Sequence, residues 1–260
     1  MFSAARSEQD RALPRPTPAR RRPARARRGK TRPVLRPERP PELVLCELDR
    51  LDLPRHETHS PFCLKIHRAL RSAGLRYTSR LAAYPGAHRR LNPRGQVPVL
   101  LLDGEPVADS TEILRRLARL RPTPPWAEHP PAVHAEAMLW EELADTALNG
   151  FVVAARWADP RNWPHVRAAF FGGMPRPVAA VFPPVVRRRA MQALVARDVW
   201  RAGPEACWRR FTDLLDDLER RAPAAGYWLG DRLSAADLGL FAQLHSLRLP
   251  LTRWQAGQVE

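Results

Sequence analysis

Ser60-Pro61-Phe62-Cys63 places a hydroxyl and a thiol at the opening of a helical pattern, directly after a polar loop. Ser-Pro reads as a helix start, because serine caps well and proline fits the first helical position, where its missing N–H would be unpaired anyway. Unpaired amides at a helix N-terminus carry positive potential, so a thiolate held there is stabilised and a serine hydroxyl can add a hydrogen bond to the sulfur. On this reading Ser60 activates a thiol that arrives with a ligand; the plainer reading is a cap and nothing more. Further on, Gln96-Val97-Pro98-Val99 puts a proline where a strand begins. X-Pro bonds have a realistic cis population, and a cis Val97–Pro98 bond would turn the Val97 amide and carbonyl outward to pair with a peptide-like ligand. The alternative is an ordinary edge-strand proline. Asp109-Ser110-Thr111-Glu112-Ile113 opens a third segment, where carboxylate and hydroxyl either cap a helix or grip a ligand's α-ammonium and α-carboxylate. Taken together, the three segments suit a thiol-bearing anionic ligand.

The elements that must position them follow from the apolar spacing. Leu43-Val44-Leu45-Cys46 reads as a buried strand, and Phe62, Ile66, Ala69 and Leu70 recur at helical spacing until Gly74. Leu75–Leu81 can form a second strand, with a loop or short helix around Tyr84–Leu91. Val97–Leu102 is a strand turned by Asp103-Gly104 into Glu105-Pro106-Val107, and a helix carries Ile113, Leu114, Leu117 and Leu120. A β-α-β unit followed by β-β-α is a thioredoxin-like arrangement. Beyond a proline-rich linker at 122–131 the pattern is helical alone: Val133–Phe151, then Val185–Trp200 after a Pro/Gly/aromatic stretch, then Pro204–Arg221 and a helix opened by Ser234-Ala235-Ala236-Asp237. The expected fold is an α/β thioredoxin-like domain at 41–121 followed by an all-α domain at 132–260, preceded by a disordered Arg/Pro-rich tail at 1–40.

At this point the stretches SPFCLKIHRALRSAGLRY, NPRGQVPVLLLDGEPVADSTEIL and WLGDRLSAADLGLFAQL, in that order, resemble the cytosolic glutathione S-transferases. The first block looks particularly like tau-class plant enzymes and related bacterial ones, in which a serine before Pro-Phe activates glutathione. The resemblance implies glutathione as co-substrate, with Ser60 as thiol activator and Val97, ahead of Pro98, as backbone partner of the cysteinyl unit. Asp109 with Ser110 would clamp the γ-glutamyl group, Gln96 would lie near the glycyl carboxylate, and Ser234 with Asp237 would form a folding N-cap box. It also implies a cytoplasmic homodimer that detoxifies a hydrophobic electrophile, with peroxide or disulfide reduction as the alternative chemistry. Three departures stand out: Gln96 replaces a common lysine, Asp109 replaces the usual glutamate, and Cys63 holds the second position of a Cys-x-x-Cys pair whose first member here is serine. Cys63, one turn into the helix, reads as buried filler, with a mixed disulfide to glutathione as the alternative. The family's usual helix after the last one recognised here is not evident, so the C-terminal domain reads as truncated.

Composition narrows the field. The formal charge of +16 is concentrated at one end: residues 1–40 hold 13 of the 43 Arg/Lys and 3 of the 27 Asp/Glu, so the rest carries only +6. The charge is therefore no nucleic-acid signature for the folded part, and the confinement of lysine to Lys30 and Lys65 fits a high-GC codon bias. Three scattered cysteines make neither a disulfide framework nor a thiolate metal site. His56, His59, Cys63 and His67 match no ligand spacing, so no metal is expected, and no run approaches the roughly 20 apolar residues of a membrane span. Trp157, Trp163, Phe170 and Phe171 read as packing, with a substrate-pocket wall as the alternative. A second class of function stays open: a non-catalytic module of the same fold whose basic tail binds a partner or nucleic acid.

Overall fold

The structure, a computed structural model, describes residues 40–259 apart from 52, 54–56 and 85. The tail expected at 1–40 therefore lies almost entirely outside the described residues, as does His56. The sheet comprises β1 (Leu43–Leu48), β2 (Thr78–Ala82), β3 (Val99–Leu102) and β4 (Glu105–Ala108), in the spatial order β2-β1-β3-β4. β1 runs parallel to β2, as the intervening helix α1 (Pro61–Ser72) requires, and antiparallel to β3 with Leu45 opposite Leu100. Asp103 and Gly104 both have positive φ, 51° and 82°, the geometry of a two-residue hairpin between β3 and β4. Alternation along β1 sends Leu43 and Leu45 into one core with Ile66, Ala69 and Leu70 of α1 and Ile113, Leu114 and Leu117 of α2 (Ser110–Leu117). Cys46 faces the other way, with Val99 and Leu101.

This is a thioredoxin-like sheet domain, and the helical domain follows it. Trp126, in a short 3₁₀ turn at Pro125–Ala127, docks the linker by donating its indole N–H to the Ala69 carbonyl of α1 at 3.1 Å. α3 (Pro131–Leu143) continues through a π-helical turn (Ala144–Leu148) into α4 (Asn149–Val153) and a second π turn (Ala154–Ala158). Three further helices come next, α5 (Trp163–Phe171), α6 (Arg176–Ala196) and α7 (Gly203–Arg221). The last two are α8 (Ala235–Leu247) and a short α9 (Arg253–Ala256). α8 lies at the centre, its Ala235, Ala236 and Leu238 in the same core as the sheet's leucines. Gly239 lets α3 approach closely, since a Cβ there would meet Glu141 Cα and Ala144 Cβ at 3.3 Å.

Several details depart from expectation. A helix occupies Trp163–Phe171 inside the stretch read as irregular, whereas around Tyr84–Leu91 the loop alternative holds, the described residues forming turns. α6 starts nine residues ahead of Val185 and runs through Pro183 and Pro184. Proline breaks helices partly by stranding the carbonyl four residues back. Here Arg167 donates to the Ala179 carbonyl at 3.2 Å, the acceptor that Pro183 leaves without a partner. α9 supplies a short helix after α8, where none was expected. Among the described residues no helix is long and apolar enough to cross a membrane.

Candidate active site

Ser60 is the N-cap of α1: its backbone is extended and its Oγ accepts the Cys63 N–H at 3.3 Å. A hydroxyl that spends a lone pair on its own helix still has its hydrogen to donate. Cys63 is fully buried, and burial drives its thiol far above the ordinary range, against the lowering pull of the Ser60 hydrogen bond. A sealed, un-ionised thiol of this kind is a poor nucleophile.

Gln96, Val97, Pro98, Asp109 and Ser110 come together on the wall of one cavity of about 720 Å³. Leu48, Phe62, Arg94, Asn149 and Arg197 share that wall, while Ser60 lies outside it. The Val97–Pro98 bond is cis. Buried Asn92 fixes the approach to it, donating to the Gln96 carbonyl at 2.9 Å while its own side-chain oxygen accepts the Arg94 N–H at 3.1 Å. Among the described residues neither the N–H nor the C=O of Val97 is used in a backbone hydrogen bond. Asp109 caps α2, its Oδ1 accepting from the Thr111 and Glu112 amides at 2.9 and 3.2 Å, with its own φ at 78°.

Behind α2 stands a buried charge cluster that the sequence reading missed. Lys65 is fully buried and its ammonium bonds both Glu141 and Asp145. Ser110 and Thr111 donate to the same carboxylates, Ser110 Oγ to Asp145 at 3.4 Å and Thr111 Oγ1 to Glu141 at 2.8 Å. Gln243 of α8 reaches Asp145 at 3.4 Å. Burial lifts the Asp145 carboxyl to about 6, with Lys65 pulling down and Glu141 pushing up. The signals were present: Lys65 is the lone lysine in residues 41–260, and Glu141 with Asp145 is a like-charged i,i+4 pair that needs a cation between its members.

The aromatic group Trp157, Trp163, Phe170 and Phe171 is mutually packed, and Phe170 meets the His59 ring edge-on at 5.1 Å. Among the described residues no group of three or more His, Cys, Asp or Glu side chains is placed to hold a metal ion.

Comparison with known proteins shows the family of the fold. Residues 59–120 match the glutathione S-transferase N-terminal domain, and residues 183–256 the glutathione S-transferase C-terminal domain. A glutathione S-transferase from Pseudomonas fluorescens is 21% identical at a TM-score of 0.50, over 84% of this chain and 91% of that one. A glutathione transferase from Drosophila melanogaster is 18% identical at 0.51, over 84% of each. The β-etherase LigF from a Sphingobium species is 21% identical at 0.51, over 80% of this chain and 84% of its own. At such identities the likeness speaks to fold alone. No curated protein matches the chain significantly. Since both halves of the fold are matched in order, and the two matches together take in more than half of the 260 residues, the chain belongs to the glutathione S-transferase family.

Proposed function

We propose that this protein binds glutathione in the cavity beside Val97 and α2, and uses its thiolate to attack an electrophile. The observation that carries the reading is the convergence of Gln96, Val97, Pro98, Asp109 and Ser110 on one wall, at the N-terminus of a capped helix. A γ-glutamyl ammonium would meet the Asp109 carboxylate, and its carboxylate the Ser110 N–H at the start of α2, with the Ser110 hydroxyl turning its hydrogen from Asp145 to the ligand. The cysteinyl amide would pair with the backbone of Val97, and Gln96 would reach the glycyl end. That pose turns the sulfur toward the N-terminus of α1, where the Ser60 O–H donates to it and the thiol proton leaves to solvent. The thiolate then forms the S–C bond as the electrophile's leaving group departs with the bonding pair. Holding both reactants supplies much of the rate. Leu48 and Phe62 give the cavity an apolar edge for a hydrophobic electrophile. A cytoplasmic, detoxifying homodimer is the setting this reading implies.

The position of Ser60 favours a second reading. Its Oγ caps α1 and lies off the cavity wall, as it would in a binding module without thiol chemistry. Two measurements separate the readings. Glutathione at about 100 times its Kd should stabilise the fold by about 2.7 kcal/mol, read as a raised Tm; no shift at millimolar ligand removes the glutathione site. Ser60→Ala should keep that shift yet lose conjugation of a generic aryl halide by about a hundredfold, within the range of a lost transition-state donor. Turnover that stays within about twofold leaves the serine as a cap alone.

A further inference from the structure

Arg156 stands in the second π-helical turn and is only 6% exposed, yet among the described residues no carboxylate forms an ion pair with it. Its Nη1 donates to the His59 carbonyl at 2.7 Å and its Nη2 to the Ser246 carbonyl of α8 at 3.4 Å. Among the described residues its Nε, and the Oγ of the same Ser246, are buried without a hydrogen-bond partner. Taking a guanidinium out of water with no counter-charge is costly, and an apolar side chain of similar volume would avoid that cost. Burial alone draws its pKa down to about 10, and no anion pulls it back. A single-turn π-helix inside an α-helix shifts the side chains after it, and such turns recur at functional sites. Here it aims the guanidinium across the domain boundary at the carbonyl two bonds from the Ser60 nitrogen.

Other charges near this loop are already matched. Glu57 faces Arg68 and Arg71, Glu47 faces His67, and Lys65 holds Glu141 and Asp145. His245, beside Ser246 on α8, has its pKa lowered by burial and by Arg68 and Arg248, so it is neutral at pH 7. The remaining neighbour is His59 itself, whose carbonyl is the acceptor. Among the described residues Arg156 is a buried cation without a counter-ion.

We infer that Arg156 is a positioning residue for the thiol: it fastens the loop carrying Ser60 to the helical domain, and its unneutralised charge finds its counter-ion in the thiolate of bound glutathione. This rests on the glutathione reading above. The charge adds to the unpaired amides of α1, so the bound thiol ionises more readily than Ser60 and the helix end alone would allow.

The test is a pH titration of the bound thiolate by its ultraviolet absorbance, with glutathione saturating. Arg156→Gln drops the charge, its shorter amide stopping short of the His59 carbonyl, and should raise the thiol pKa by about one unit. Arg156→Lys keeps the charge and should titrate with the wild type. Ser246→Asp, which needs no loss of the arginine, places a carboxylate beside the same guanidinium and should raise the thiol pKa as Arg156→Gln does, without lowering Tm. A wild-type curve in both Arg156→Gln and Ser246→Asp, or in Ser246→Asp alone if Arg156→Gln does not fold, overturns the inference. A wild-type protein whose bound thiol ionises no more readily than free glutathione overturns the glutathione reading first and this inference with it. That failure is recognised because it precedes any substitution.

Discussion

Asp109 holds its backbone at φ 78° and ψ 131°, outside the left-handed well that an aspartate tolerates, while its carboxylate caps two amides. A non-glycine residue there costs about 1–3 kcal/mol, and such strain persists where its surroundings fix it for a purpose. Asp109→Asn keeps the acceptor and removes the charge. Glutathione affinity should fall about tenfold, the loss of one charge-assisted contact to the ammonium, while Tm stays within about 2 °C. Isothermal titration reads the first quantity and calorimetry the second; unchanged affinity would mean that the aspartate only caps. Cys63 makes the opposite case, with its thiol sealed and hard to ionise. Native protein treated with a maleimide should remain unlabelled at Cys63 for as long as it stays folded. At this scale the sequence was most readable where a residue type and its neighbour both constrain geometry, as in Ser60-Pro61 and Val97-Pro98. It was least readable at Lys65, where composition hinted at an anomaly but only the fold brings its partners from 76 and 80 residues away.

Between elements, the Lys65 cluster joins α1, α2, the α3 helix with its π turn, and α8. Lys65→Met leaves two buried carboxylates without their cation and should cost about 3–5 kcal/mol in denaturant unfolding. Adding Glu141→Leu and Asp145→Leu should recover most of it, since an apolar replacement for a buried ion cluster is close to neutral. A triple variant no better than Lys65→Met would mean that the cluster holds the elements together by itself. Asp145 also sets a pH window. Its carboxyl is harder to ionise folded than unfolded, so its contribution to stability is full below about pH 4 and is lost as pH rises to about 6. Asp145→Asn should flatten that fall in a Tm-against-pH series. Glu47 acts with the opposite sign: burial opposes its charge, but the His67, Ser79 and Thr58 hydrogen bonds outweigh that and hold its carboxyl below the usual range. Its stabilisation is present above about pH 4.5 and is lost below. Element order in the sheet domain was legible because strand alternation and turn residues agree there. α5 and the first half of α6 were not, because Pro177, Pro183 and Pro184 argue locally against a helix that tertiary contacts and Arg167 sustain.

For the molecule as a whole, sequence order carried the architecture further than any single motif, since β-α-β, β-β-α and then helices admit few folds. What it could not carry was the seam between the two halves, where every contact is long-range. Charge is likewise divided unevenly along the chain, and removing residues 1–40 lowers the formal charge from +16 to +6. The shortened protein should bind glutathione like the full chain but elute earlier from a polyanion resin, in a step that fades with salt. Equal retention would rule out the tail as an anion-binding arm. The seam has a consequence of its own. Lys65 passes from the sheet domain into carboxylates of the helical one, and Arg156 passes back to the loop ahead of Ser60. The two halves have thus exchanged cations, each lodging the other's. A chimera that trades the helical half for a relative's strands one cation and deprives the other site of its own, unless both lodgings travel with the graft. New substrate ranges in this lineage would then arise more readily from changes along the cavity wall than from shuffling whole domains.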